Sequence, residues 1–310
     1  MHGGIAILGV GLIGGSLLHR LKGHIVVGYD TDPATREAAR QAGFSVADSI
    51  SQAVATADLV VAAVPLPALP ALLAELGTAA RPGAVITDVA SVKGPVGEWV
   101  RGPVRYVGGH PMAGTERSGF AAADPYLFNK AAWVLCLEAD TDPTGWLELA
   151  AVLTTIGARV VPTTAAEHDD VVARISHLPH LLAATLAGAA ADPLAQTLAA
   201  GSFRDGTRVA GTRPELSTAM CQANAAALDT ALAQAITALQ ETRTALADNT
   251  LETLFRRAYD IRKNWPSTKT KTRKLDPNAA DLRDQLLALG RQGGWLTEIE
   301  PGALTGEVPL

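Results

Sequence analysis

The most constraining feature of this chain lies at its start. An apolar run of strand length, residues 5–8, leads directly into Gly9-Val10-Gly11-Leu12-Ile13-Gly14-Gly15-Ser16. A G-x-G-x-x-G loop between a strand and a helix leaves few folds open. Gly9 permits the tight turn, Gly11 lets backbone approach a pyrophosphate without a Cβ in the way, and Gly14 lets the helix pack close to the sheet. The helix beginning at Leu12 and Ile13 then offers free N–H donors and the positive end of its dipole to phosphate groups. A second strand at 25–29 ends in Asp30, about 20 residues beyond the first glycine, where a carboxylate accepts ribose hydroxyls and repels a 2′-phosphate. These residues predict a dinucleotide-binding Rossmann domain that takes NAD in preference to NADP, with Arg36 as the nearby cation that softens the preference.

Further strands are expected at 59–64, 85–88, 106–108, 133–137 and 159–161, with helices at 12–21 and 33–42. This alternation is the mark of a parallel α/β sheet. Ligands of such sheets gather at the carboxyl ends of the strands, so Val64 and Pro65, which close the third strand, are expected to border the cofactor. The run Asp88-Val89-Ala90-Ser91-Val92-Lys93 and the loop Gly108-Gly109-His110-Pro111-Met112-Ala113-Gly114-Thr115-Glu116 face the same crevice. A histidine in a Gly/Pro-rich loop at a strand end is poorly explained by packing. It suits withdrawal of a proton from an alcohol as hydride leaves the same carbon.

Beyond about residue 163 the strand signal stops. Ala- and Leu-rich helices are expected at 165–190, 193–201, 214–247 and 250–264, with a short one at 281–290. The third is long but too rich in alanine to fill a core alone, so it is expected to pack against a partner subunit. The expected organisation is an α/β Rossmann domain over 1–162, an all-α substrate and dimerisation domain over 163–265, and a partly helical tail over 266–310. The basic stretch 262–274 reads as a solvated linker and 302–310 as a frayed end.

The net charge of −5 lacks the basic excess of a general nucleic-acid binder. No apolar run reaches the roughly 20 residues that span a bilayer, and the start of the chain has no signal-peptide pattern. Cys136 and Cys221, far apart in apolar surroundings, read as buried free thiols of a reducing compartment. The expectation is a soluble, cytoplasmic protein without membrane or nucleic-acid partners. The helical half supplies Ser176-His177-Leu178-Pro179-His180 and Arg204-Asp205-Gly206-Thr207-Arg208, the arginines being suited to carboxylates. His110, His177 and His180 lack the spacing of a metal site, so no metal is expected.

Taken in order, the glycine loop, residues 88–93, the 109–116 loop, 176–180 and 205–208 resemble the prephenate/arogenate dehydrogenases of tyrosine biosynthesis, over roughly residues 5–265. The resemblance implies a Rossmann domain followed by an all-α domain that dimerises through intertwined helices. It implies NAD-dependent oxidative decarboxylation of prephenate, or of arogenate as the alternative. It casts His110 as the residue that polarises the ring hydroxyl, Ser91 as its partner there, and Arg208 as the carboxylate anchor. His180 and Ser176 would line the substrate pocket, and Glu116 would stand near its entrance. His177 is expected to be supporting structure. One departure is Ser217, where many relatives carry Trp. Dehydrogenases of the 3-hydroxyacid type use a catalytic lysine in the helical domain, and residues 165–210 contain none.

Overall fold

The computed structural model describes residues 3–102, 104–115, 117–267 and 269–310. The chain forms two units, Met1–Asp169 with Thr272–Val308, and Asp170–Lys271 with Pro309–Leu310.

The first unit opens with strands β1 (Gly4–Leu8), β2 (Val26–Tyr29), β3 (Ala57–Ala62), β4 (Val85–Asp88) and β5 (Arg105–Val107). They form a parallel sheet in the order β2-β1-β3-β4-β5. Helices α1 (Leu12–Arg20), α2 (Pro33–Gln41), α3 (Ile50–Val54), α4 (Leu69–Ala79) and α5 (Gly94–Trp99) connect the strands. Every residue of β1 is buried, as expected for a strand covered on both faces. A second sheet begins immediately after Gly108 with β6 (Gly109–Pro111), followed by β7 (Ala132–Cys136), α6 (Pro143–Thr155) and β8 (Arg159–Thr163).

Local chemistry sets the helix starts. At Asp32–Pro33, Asp142–Pro143 and Asp192–Pro193 the Asp side chain accepts a backbone N–H of the first turn, while the proline lacks the N–H that would have no partner there. The same Asp–Pro pair thus opens α2, α6 and, in the helical unit, the helix Pro193–Leu198.

Helix α7 (Ala165–Val172) runs into a π turn at Ala173–His177 and then α8 (Leu178–Ala187). The sequence pattern predicts one unbroken helix here. Pro179 gives the reason for the difference, because its ring clashes with the carbonyl one turn back in a regular helix and the wider π turn relieves the clash. The helical unit continues with α9 (Pro193–Leu198), α10 (Gly201–Thr207), α11 (Pro214–Ala223), α12 (Ala225–Ala247) and α13 (Leu251–Lys263). The expected long helix is therefore two, broken at Asn224. That side chain is buried and its Nδ2 lies 3.2 Å from Nδ1 of the fully buried His177. His177 thus serves as internal support.

The larger correction concerns the tail. The chain returns to the first unit with β9 (Thr270–Leu275), α14 (Leu282–Arg291), β10 (Trp295–Glu300) and β11 (Ala303–Pro309). These complete a six-stranded sheet in the order β6-β7-β8-β10-β11-β9, with β10 antiparallel to β8 and to β11. The basic segment read as a linker contains most of β9, an edge strand whose exposed Lys271 and Lys274 discourage further pairing. The end read as frayed is β11, with Leu304, Gly306 and Val308 turned inward. Leu286, Leu287 and Leu289 of α14 join Leu296, Leu304, Trp133 and Trp146 in the core.

Candidate active site

Gly9 ends β1 with φ +94°, and a Cβ there would collide with the Ala63 carbonyl. Only glycine makes this turn without strain. Val64 packs beside it, and the exposed Pro65 starts the next turn. Gly14 sits against the Gly9 carbonyl, holding α1 close to the sheet. At Gly11 nothing lies within 4 Å of where a Cβ would stand. Helix α1 has no side-chain cap at Gly11 and no acidic residue in its first turn, which contains Leu12 and Ile13. The open glycine and the uncapped helix end form a cradle that fits a dinucleotide diphosphate.

Asp30 stands at the end of β2. Its carboxylate accepts the Val10 N–H at 2.8 Å and the Asp32 N–H at 2.9 Å, pinning the glycine loop to the second strand. A carboxylate has about four acceptor positions, so both bonds leave capacity for ribose hydroxyls. Arg36 donates to the carbonyls of Asp30 and Thr31, at 2.7 and 3.1 Å.

The next group of side chains surrounds the end of β4. Gly109 packs so tightly that an added Cβ would stand 2.6 Å from the Asp88 carbonyl oxygen. Its neighbour His110, half-buried and paired with Val134 of β7, therefore lies beside the loop that carries half-buried Ser91. Lys93, 2% exposed, crosses beneath. Its ammonium bonds the Asp88 carboxylate and the Gly109 carbonyl. Tyr106 donates to the other Asp88 oxygen at 2.6 Å, and burial, then the Asp88 charge, push its hydroxyl well above its ordinary range.

Two residues that sequence reasoning missed complete this cluster. Nδ1 of His110 lies 2.9 Å from Nε2 of His168, and Nδ1 of His168 lies 2.7 Å from Oδ1 of Asp169. Asp169 also accepts the Lys93 and Gly94 N–H groups, each at 2.8 Å. Burial pushes its carboxyl upward, but the bonds from His168, Gly94 and Lys93 outweigh burial and hold it below the usual carboxylate range. In sequence these residues are part of Glu167-His168-Asp169-Asp170 on α7, a polar run inside an expected helix with no turn or glycine signal beside it.

In the helical unit, Ser176 is half-buried on the π turn and His180 stands in the first turn of α8. The turn beginning at Arg208 packs against α8. Burial, and then the nearby Arg208 charge, lower the His180 pKa. Its buried Nδ1 has no hydrogen-bond partner among the described residues. His180 lines a mostly apolar cavity of about 420 Å³ with Leu181, Val209, Ser217 and Cys221. Glu116 lies outside the described residues. Both cysteines are free thiols. Cys136 is buried, but Cys221 is only half-buried, contrary to the sequence expectation for it.

The family model described as prephenate dehydrogenase, nucleotide-binding domain, matches residues 13–162, and that described as prephenate dehydrogenase, dimerization domain, matches 164–258. The chain belongs to the prephenate dehydrogenase family. Within that family it is 34% identical over 282 residues to the cyclohexadienyl dehydrogenase of Zymomonas mobilis, covering 86% of this chain and 96% of that one. It is 35% identical to the prephenate dehydrogenase of Lactococcus lactis over 66% of this chain, but spans only 60% of that relative, and it spans 62% of the Bacillus subtilis prephenate dehydrogenase. A Corynebacterium glutamicum structure, described as a provisional prephenate dehydrogenase, superposes with a TM-score of 0.84 at 38% identity, covering 93% of this chain and 96% of that one. The Aquifex aeolicus prephenate dehydrogenase, solved with hydroxyphenyl propionate and NAD+, gives 0.76 at 25% identity over 84% and 96%. Among the described residues no helix is long and apolar enough to cross a membrane.

Proposed function

We propose that this member of the family is an NAD-dependent prephenate dehydrogenase that converts prephenate to 4-hydroxyphenylpyruvate with loss of CO2. The observation that carries the reading is the setting of His110, held beside the Ser91 loop in a unit whose glycine cradle fits the cofactor bound by the Aquifex relative. When bound, NAD+ supplies the acceptor for the hydride that leaves C4 of the ring.

The chain's own residues do the rest. His110 draws on the ring hydroxyl proton, with Ser91 as a second hydrogen-bonding group there. As hydride departs, the ring carboxylate leaves as CO2, its bonding pair completes the aromatic ring, and the proton drawn by His110 returns to the phenolic oxygen. Aromatisation provides the driving force, so the protein's task is alignment. Arg208 holds the side-chain carboxylate, and Ser176 and His180 line the substrate. The ring carboxylate must not be gripped tightly, because its charge vanishes in the transition state. Gly9, Gly11, Leu12, Ile13, Gly14, Val64 and Pro65 cradle the dinucleotide, and Asp30 favours NAD over NADP. The protein acts in the cytoplasm as a homodimer formed through the helical unit, where exposed Ile236, Leu239, Leu246, Phe255 and Tyr259 supply apolar surface.

The Zymomonas relative's broader name favours a second reading, in which arogenate is also accepted and yields tyrosine directly. One assay decides between the two: NADH or NADPH formation with prephenate and arogenate, each with NAD+ and NADP+. Turnover of prephenate with NAD+ is expected to dominate. No turnover of either substrate would overturn the function, and preference for NADP+ would overturn the role of Asp30.

A further inference from the structure

One carboxylate organises both sides of the cluster around His110. Asp169 accepts N–H groups from Lys93 and Gly94, where the Ser91 loop ends, and it also meets His168, which in turn meets His110. Lys93 closes the circuit, since its ammonium bonds the carbonyl of Gly109, the residue before His110. We propose that His168 and Asp169 are positioning residues that fix His110 in the tautomer with its proton on Nδ1 and the lone pair on Nε2. The proposal rests on the dehydrogenase reading for its kinetic consequences, but its structural content stands apart from the identity of the substrate.

Donors and acceptors alone set the order of the protons. An ionised carboxylate only accepts. Nδ1 of His168 must therefore carry a proton to bond Asp169. A neutral His168 then has only a lone pair on Nε2. Nδ1 of His110, 2.9 Å away, must be the donor in that pair. The remaining His110 nitrogen, Nε2, is then the basic one. One added proton on the pair reverses this order and removes the base. Among the described residues, the charged and titratable groups that bear on the pair include Asp169, the Lys93–Asp88 ion pair, Tyr106 and the Cys136 thiol, which burial keeps protonated.

The sign of the pH effect is fixed as well. An anion at the far end of the relay favours the protonated pair. Replacing it with an amide therefore lowers the pH at which activity falls on the acid side. A merely structural role for Asp169 would leave that limb in place.

The test uses the full chain and the variants His168→Leu, His168→Gln and Asp169→Asn. Imidazole nitrogen NMR on histidine-labelled protein, with His110→Asn to assign the signal, reads the tautomer directly and needs no substrate. The Nδ1–H form is expected for His110 in the parent and its loss is expected in His168→Leu. The Nε2–H form in the parent would overturn the proposal. In kinetics, His168→Leu is expected to lower kcat by about tenfold or more while NADH binding, followed by fluorescence, is retained. His168→Gln, which restores an acceptor, is expected to recover most of the loss, and Asp169→Asn to move the acid limb to lower pH. A kcat within about threefold of the parent in His168→Leu, with the limb unmoved in Asp169→Asn, would also overturn it. Inactivity of the parent on prephenate and arogenate would instead remove the functional reading, and the NMR result would still decide the relay.

Discussion

Lys93 shows how much one residue carries. A fully buried ammonium is tolerated because Asp88 and the Gly109 carbonyl receive it, and removing one partner of such a pair leaves an uncompensated charge. Lys93→Met is expected to destabilise the fold by about 3–5 kcal/mol, measured by chemical denaturation, and a stability equal to the parent would show that the pair is dispensable. For His110→Asn, turnover is expected to fall by about 10²-fold or more, the scale of a lost acid–base group, while NADH binding persists. Normal turnover in that variant would remove the mechanism. His110 and Asp30 were legible in the sequence because each stands next to a turn that packing alone does not explain. Lys93, His168 and Asp169 were not. Each is a polar residue in a polar or mixed run, and only the tertiary approach of β4, β6 and α7 reveals that they are buried and paired.

At the scale of elements, legibility followed locality. The strands of the parallel sheet were readable to within a few residues because each is an apolar run bounded by turn residues. The π turn before α8 and the break at Asn224 were not, since the first answers to the strain around Pro179 and the second to a buried contact with His177. The strands β10 and β11 form a local hairpin, but the sheet that gives them and β9 a place is joined through β8, far earlier in the sequence. β9 carries a single buried residue, Leu275, although the alternation Leu304-Gly306-Val308 was a usable signal for β11. A chain ending before Thr270 would leave β8 without β10 and strip Leu286, Leu287, Leu289, Leu296 and Leu304 from the core. Such a truncation is expected to be recovered mainly as insoluble protein, compared with the full chain by fractionation after expression, and a soluble truncated protein with the parent's melting temperature would show the segment to be an accessory.

At the scale of the whole molecule, three of the described carboxylates that are depressed against burial share one pH response, beside the exposed Asp32, which its helix-cap bonds also lower. For Asp142, Glu167 and Asp169, burial raises the pKa but is outweighed, by Gly145 and Arg105, by Arg291 and Thr164, and by His168 with two backbone N–H groups, respectively. All three are therefore depressed in the folded state. Groups of this sign contribute stability that is complete above the ordinary carboxylate range and is lost as the pH falls through their lowered folded values. Thermal unfolding is thus expected to be nearly flat from neutrality down to about pH 5 and to weaken steeply below about pH 4. A melting temperature unchanged down to pH 3 would refute the assignment.

The return of the chain to its first unit also bears on biosynthesis. A ribosome releases β8 well before β10, with the entire helical unit between them, so the mixed sheet waits through that interval with an open edge of unpaired N–H and carbonyl groups. Folding of the nucleotide-binding unit is therefore coupled to the emergence of β10 and β11 rather than finished before the helical unit is made. The nascent chain is most vulnerable to chaperone capture or misassociation while the helices are emerging.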